Sequence, residues 1–426
     1  MYAPDPAPLG DAPRTASVRA ASLPRVVWWI GLSSLLADVS AESVASALPV
    51  FLLAVLQLSP LEVGVLDGVY QGGAALVRVA AGAVADRRHA NHRVALLGYG
   101  LSVLSRVGFL LAGAAGLLLA LASLCMDRIG KGIRTAPRDA LIAGHVPRAQ
   151  LGAAFGLHRA MDAGGALAGP LLGAALLAWP AGGGYIGLFA ASALAGAAGW
   201  LVFRARVPEA PRLDAEGQAL PLPLQQPLPL RHLVARLVAD RPFVALCALS
   251  LLLSAFTVSD GLLYLTLQQG VGLDGKFVPL MFAGTAAVFL ATASPLGRMA
   301  DRHGPVPLFV AGYAGLAALY ALLALWQRPP AAVGWGVVAA LGLHYAATDG
   351  VLAAAAARTL DPRVRTTGLA TLATAVGLTR LGASALYGAL WQAGGPGLAR
   401  GVFATGLAAC CAVGIGVLAW RRGRAA

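Results

Sequence analysis

The chain has 426 residues, 58% hydrophobic and 12% charged, with a mean hydropathy of +0.73. A soluble domain carries about 25% charged residues, so a water-soluble enzyme or binding module is excluded and a polytopic membrane protein is indicated. The net charge of +13 is nearly all arginine, since Lys131 and Lys276 are the only lysines, and it follows membrane topology rather than nucleic-acid binding.

Residues 1–24 are Pro- and Ala-rich and read as a disordered cytoplasmic tail. No cleavable signal peptide is evident, because the first apolar run is long enough to span. Spanning length is about 20 residues, and runs of that kind lie at 26–56, 61–85, 93–113, 117–138, 151–178, 184–203, 243–268, 276–300, 307–326, 332–357, 366–391 and 398–420. With the N-terminus in the cytoplasm, Lys276, Arg328 and Arg400 fall outside and seven bases fall within spans. The other 22 of the 32 Lys and Arg residues lie on the cytoplasmic side, a strong positive-inside pattern. All eight Trp sit at or near span ends, as an aromatic belt requires. Cys125, Cys247, Cys410 and Cys411 lie in apolar runs with no metal or disulfide spacing.

The first span carries Asp38 and Glu42 one turn apart, with Asp38 about 18 Å in from Val26. A desolvated carboxylate can load and release a proton, so both are proton-coupling candidates; permanent pairing with Arg106 or Arg128 is the plainer reading. The second span sets Asp67, Gln71 and Arg78 on one face and ends in the basic turn GAVADRRHANHR. Asp67 is a further coupling candidate. The third span has Arg106 near its middle.

The fourth span holds DRIGKGIRTAPRD, residues 127–139. Each charge near a bilayer centre costs roughly 2.5–3.5 kcal/mol. Asp127, Lys131, Arg134 and Arg138 share a helical stripe, so that stripe faces an interior. Arg128 and Lys131 lie about 16–21 Å below Leu117, at the depth where a transporter binds substrate. Arg138 and Asp139 lie lower, at a cytoplasmic gate. The fifth span carries His158, Arg159 and Asp162 at pairing distance; Asp162 is most simply neutralised by Arg159, with proton coupling as its functional reading. Gly165, Gly169, Pro170 and Gly173 follow, small residues that permit close helix approach and a proline that permits a kink.

Six acids of the first half (Asp38, Glu42, Asp67, Asp127, Asp139, Asp162) face seven bases (Arg78, Arg106, Arg128, Lys131, Arg134, Arg138, Arg159). That near balance points to a network with one or two bases left for a substrate. Residues 204–242 are Pro- and Leu-rich and read as a cytoplasmic linker, with a short amphipathic helix near Leu230–Val238. The second half echoes the first. GRMADRHG at Gly297 matches GAVADRRH at Gly82, and DPRVRTTGLAT at Asp361 matches VPRAQLGAAFG at Val146, both at an offset of 215. One offset for two segments argues for duplicated halves. The second half is poorer in buried charge, with Asp260, Tyr264, His344, Asp349 and Arg380 as polar positions in Ala/Leu/Gly helices.

Twelve spans, a long central loop and a Gly-x-x-x-Asp-Arg turn after the second and eighth spans resemble the major facilitator superfamily over residues 25–420. Gly82, Asp86 and Arg87 fit the first turn, and Gly297, Asp301, Arg302 and Gly304 fit the second. Arg128 and Gly132 fit the family's fourth-span motif, while Lys131 and Arg134 replace its Gln and Gly. The fifth-span motif Gly-x-x-x-Gly-Pro-x-x-Gly is met in full and is associated in the family with proton-coupled exporters.

The resemblance implies an all-α polytopic membrane protein of twelve transmembrane helices in two pseudo-symmetric six-helix bundles. The expected bundles are 25–203 and 243–420, joined by the 204–242 linker and followed by a basic tail, 421–426. The expected activity is proton-coupled export of a small organic solute, an organic anion included, by alternating access. Uptake of an organic anion by proton symport is the alternative; a non-transporting sensor or assembly protein on the same fold is another. The expected cavity residues are Gln71, Arg106, Arg128, Lys131, Arg134, Arg159, Asp260, Tyr264, His344, Asp349 and Arg380. Gating is expected of Gly82, Asp86, Arg87, Arg138, Asp139, Gly165, Gly169, Pro170, Gly173, Asp301 and Arg302. A monomer in a bacterial inner membrane with both termini cytoplasmic is expected, with no metal, cofactor or nucleic acid and no enzymatic constellation.

Overall fold

The computed structural model describes residues 23–88, 90–146, 150–179, 181, 183–209, 237–326, 330–360 and 365–423. Among them the chain is helical throughout. The helices are α1 (Arg25–Val50), α2 (Pro60–Arg88), α3 (Asn91–Ala115), α4 (Leu117–Gly144), α5 (Leu151–Ala178) and α6 (Gly184–Arg206). After the central linker come α7 (Arg241–Ser254), α8 (Asp260–Val271), α9 (Val278–His303), α10 (Pro305–Ala324) and α11 (Ala331–Thr359). One helical run, Arg365–Gly423, is broken at Gly394–Gly395 and supplies α12 before the break and α13 after it.

Eight helical stretches among the described residues are long and apolar enough to cross a membrane. α2 and α4 are equally long, at 29 and 28 residues, but carry the charge that the sequence concentrates there. Together with the α7/α8 pair and the break at Gly394–Gly395, they accommodate the twelve expected passes. Most of the 204–242 linker and of the amphipathic stretch near Leu230–Val238 lies outside the described residues.

The seventh pass differs from the sequence expectation of one helix over 243–268. It stops at Ser254 and restarts at Asp260. The interruption is buried, so its backbone groups need partners. Tyr320 supplies them: its hydroxyl accepts from Val258 N at 3.0 Å and donates to Val258 O at 3.3 Å. Ser259 then caps α8 by accepting from Leu262 N at 3.3 Å. In the turn between α8 and α9, Asp274 accepts from the Lys276 backbone at 3.1 Å and pairs with its ammonium at 2.9 Å. The Lys276 backbone N–H, with its side chain, holds the Asp274 carboxyl below the usual carboxylate range.

The first six helices pack on one another, as do the last seven. α1 runs against α5 along a seam of small residues. A Cβ at Gly165 would meet Leu35 O at 2.7 Å, and one at Gly169 would meet Ser43 N at 2.8 Å. The two sets meet along α2 and α12. A Cβ at Gly64 would lie 2.6 Å from Ser384 O, one at Gly68 2.7 Å from Leu381 O, and one at Gly72 2.9 Å from Gly377 O. A Cβ at Gly388 would lie 2.5 Å from Pro60 O. Pro49 and Val50, at the far end of α1, press likewise on Gly261 and Gly275. These approaches gather on the face where α1 ends and α2 begins, called here the far face.

Candidate functional site

A cavity of about 250 Å³ lies between the two sets of helices. Its polar groups come from both sides: Glu42 from α1, Asp67, Tyr70 and Gln71 from α2, and from the other side Asp260, Tyr345 and Arg380. Apolar walls are formed by Leu48 of α1, by Leu52 just beyond its end, by Val63, and by Phe282 of α9.

Asp67 and Asp260 are held by neutral donors. Ser384 on α12 donates to Asp67 Oδ2 at 2.6 Å. Asp67 therefore ties α2 to α12. The Tyr345 hydroxyl donates to Asp260 Oδ1. The Arg380 Nε is buried without a hydrogen-bond partner, and among the described residues Arg380 joins none of the ion pairs.

The basic stripe of α4 is elsewhere. Asp127, 2% exposed, receives Arg106 at 2.7 Å on one oxygen and Arg128 on the other. Arg106 also donates to Ser40 at 3.3 Å. The Arg128 guanidinium stacks 3.9 Å from the centroid of the Tyr70 ring, so Tyr70 stands between it and the cavity. Arg134 is buried, donates to Ser102 at 2.7 Å and pairs with Asp38 at 3.6 Å. Lys131 pairs with Glu42 at 3.7 Å, both groups half-buried. Arg138 reaches Asp139 at 3.1 Å and Asp162 at 3.8 Å. His158 closes this last cluster, 3.4 Å from Asp162 and 3.1 Å from Ser34, which also bonds Tyr99 at 3.1 Å.

Of the expected cavity residues, Gln71, Asp260 and Arg380 line the cavity, and so do Glu42 and Asp67. Arg106, Arg128, Lys131 and Arg134 do not, because Asp127, Glu42 and Asp38 hold their cationic ends within the first helix set. The expected pairing of Asp38 with Arg106 or Arg128 is replaced by one with Arg134. Arg159 is exposed and joins none of the ion pairs of the described residues, so Asp162 is met by His158 and Arg138 instead. Tyr264 is buried behind the cavity, hydrogen-bonded to Thr285 and edge-on to Phe282 with centroids 5.0 Å apart. His344 Nδ1 donates to Gly312 O at 3.0 Å, and Asp349 is exposed on α11.

Of the expected gating residues, Gly165, Gly169, Pro170 and Gly173 lie on α5, and the three glycines pack on α1 directly behind Asp38 and Glu42. Gly82, Asp86 and Arg87 lie in the last turns of α2, their side chains outside the described set. Asp301 and Arg302 end α9, followed by Gly304 at φ +89°, a left-handed turn that glycine adopts without strain. Tyr70, Ser259, Phe282, Tyr345 and Ser384 were missed in the sequence. Single hydroxyls and rings in apolar helices read as filler; the signal for Ser384 is its place one turn beyond Arg380.

A cavity shared by two helix sets, with irregular backbone at its edge, is transporter architecture. The family model of the Major Facilitator Superfamily matches residues 30–378. The chain belongs to that superfamily. Among its relatives is an uncharacterized protein of Mycobacterium tuberculosis, 31% identical over 385 residues, which cover 86% of this chain and 87% of that protein. An uncharacterized MFS-type transporter of Methanocaldococcus jannaschii is 27% identical over 381 residues, 87% of this chain and 89% of that one. In fold it is similar to the crystal structure of the nucleoside transporter NupG, with a TM-score of 0.75 at 13% identity, covering 92% of this chain and 99% of that one. Superfamily membership makes the chain a multi-pass membrane protein of a secondary-transporter family.

Proposed function

We propose that this member of the superfamily is a proton-coupled transporter that exports a small organic solute by alternating access. The observation that carries the reading is Asp67. It lines the shared cavity and also holds α2 to Ser384 on α12. A hydrogen bond to an ionised carboxylate is roughly twice as strong as one between neutral groups. Protonation of Asp67 therefore loosens a clasp between the two halves and links proton loading to opening of the far face. Glu42 and Asp260 line the same space and can share the proton traffic. Asp38, Asp162, Arg138 and Asp139 form the network beside it and act as its positioning and gating groups.

The direction rests on the resemblance at Gly165–Gly173. Two bundles, 25–203 and 243–420, joined through 204–242, are the moving bodies in this reading. A monomer in a bacterial inner membrane with both termini cytoplasmic is the matching arrangement.

The test is transport in proteoliposomes with a pH-sensitive dye inside. A solute gradient is expected to drive proton movement through the wild type. In Asp67→Asn, solute exchange at equal pH should persist, while pH-driven accumulation falls about tenfold or more. A variant that keeps full pH-driven accumulation would contradict the role of Asp67. Proton and solute moving in the same direction would replace export by uptake symport.

A further inference from the structure

The cavity also carries a charge pattern that bears on what it binds. The bases that the sequence puts at cavity depth are turned away from it. Arg106 and Arg128 are held by Asp127, and Arg134 by Asp38. Facing the cavity are three carboxylates, Glu42, Asp67 and Asp260, and one guanidinium, Arg380. Lys131 meets Glu42 only at 3.7 Å, with the two side chains 32% and 26% exposed.

The hydrogen bonds on these acids do not remove their charge. Ser384 and Tyr345 are neutral donors, each taking one oxygen of Asp67 or Asp260 and leaving the other lone pairs for a ligand. An excess of negative charge away from water is costly unless a cation meets it. A bound proton is one such cation; a positively charged part of a solute is the other. On the same wall Arg380 is partly exposed and joins none of the ion pairs of the described residues, so a group that receives a hydrogen bond can meet its guanidinium there. Phe282 and the face of Tyr70 not covered by Arg128 give an apolar body something to pack on. A volume of about 250 Å³ is below the range of roughly 300–1,000 Å³ usual for drug-sized ligands, so the solute is small.

We infer that this cavity takes a small organic amine, its ammonium group seated among Glu42, Asp67 and Asp260 and a hydrogen-bond acceptor turned to Arg380. The inference rests on reading the cavity as the transport site. It reverses the anionic solute that the basic stripe of α4 suggests. A consequence is that ammonium and proton compete for the same carboxylates, so binding of one releases the other.

Three probes with the same phenol ring and different charge test it: tyramine, neutral 4-ethylphenol and anionic 4-hydroxyphenylacetate. Binding to the full chain in lipid nanodiscs is measured by titration calorimetry. Tyramine is expected to bind about tenfold or more tighter than the other two, and to weaken as the pH falls. Asp260→Asn and Glu42→Gln, both isosteric, should each raise the tyramine Kd by a similar factor at unchanged thermal stability. Equal or tighter binding of the carboxylate overturns the inference. So does absence of tyramine binding, or a tyramine Kd that neither variant alters. Opening of the far face, read by distances with no solute present, decides the transport reading separately.

Discussion

Asp127 is held on both carboxylate oxygens within the first helix set. It sits between two guanidiniums with 2% of its surface exposed. Breaking a buried pair by removing one partner costs about 3–5 kcal/mol, because the other charge stays behind uncompensated. Asp127→Ala strands both Arg106 and Arg128 and is expected to lower the thermal midpoint sharply and reduce yield, measured by thermal unfolding in detergent. The Lys131–Glu42 pair is a contrast. At 3.7 Å and roughly a third exposed, it is worth about 0–1 kcal/mol. Lys131→Gln should leave the midpoint nearly unchanged while unmasking Glu42, and so tighten tyramine binding. These two residues lie one turn apart, and the sequence marks both. Their depth was legible from 1.5 Å per residue. Their azimuth was not: a helical rise says how far down a side chain lies, not which neighbour its helix turns it toward. Asp38, Glu42, Asp67, Asp260 and Arg380 stood out because charge in an apolar run needs an interior partner. Tyr345 and Ser384 had no such anomaly to reveal them.

At the scale of elements, the proposed mechanism places the change of state at the contact between α2 and α12. Gly64, Gly68 and Gly72 let the two backbones touch, and Leu61 N donates to Gln392 Oε1 at 3.3 Å beside them. Gly64→Val puts a side chain where Ser384 O lies 2.6 Å from the first added carbon. That substitution is expected to separate the far ends of α2 and α12. A cysteine at Ala45, on the cavity side of α1, should then react faster with an impermeant maleimide added from the far face, on a background lacking the four native cysteines. Unchanged labelling would mean that the glycine seam does not close that face. Span existence and bounds were readable across the chain, because apolar length and the Arg distribution are strong signals. The α7/α8 interruption was not, because LLLSAFTVSD contains neither Gly nor Pro. The cue was Ser259 followed by Asp260, a cap and a first-turn acid, set within an apolar run that masks them.

For the whole molecule, the account turns on one coupling. The shared cavity is bordered on its far side by α2–α12 packing, and Asp67 belongs both to the cavity and to that closure. In the proposed mechanism the charge-assisted Ser384–Asp67 bond helps hold the two helix sets together, and lower pH favours the open far face. The most direct measurement is a pulsed electron–electron distance between spin labels at Val65 on α2 and Leu386 on α12, both exposed, in lipid nanodiscs with the native cysteines replaced. The account predicts a short distance at alkaline pH, a second and longer population that grows on acidification, and loss of that pH dependence in Asp67→Asn. A single distance at every pH, or a pH response that Asp67→Asn leaves intact, would contradict it.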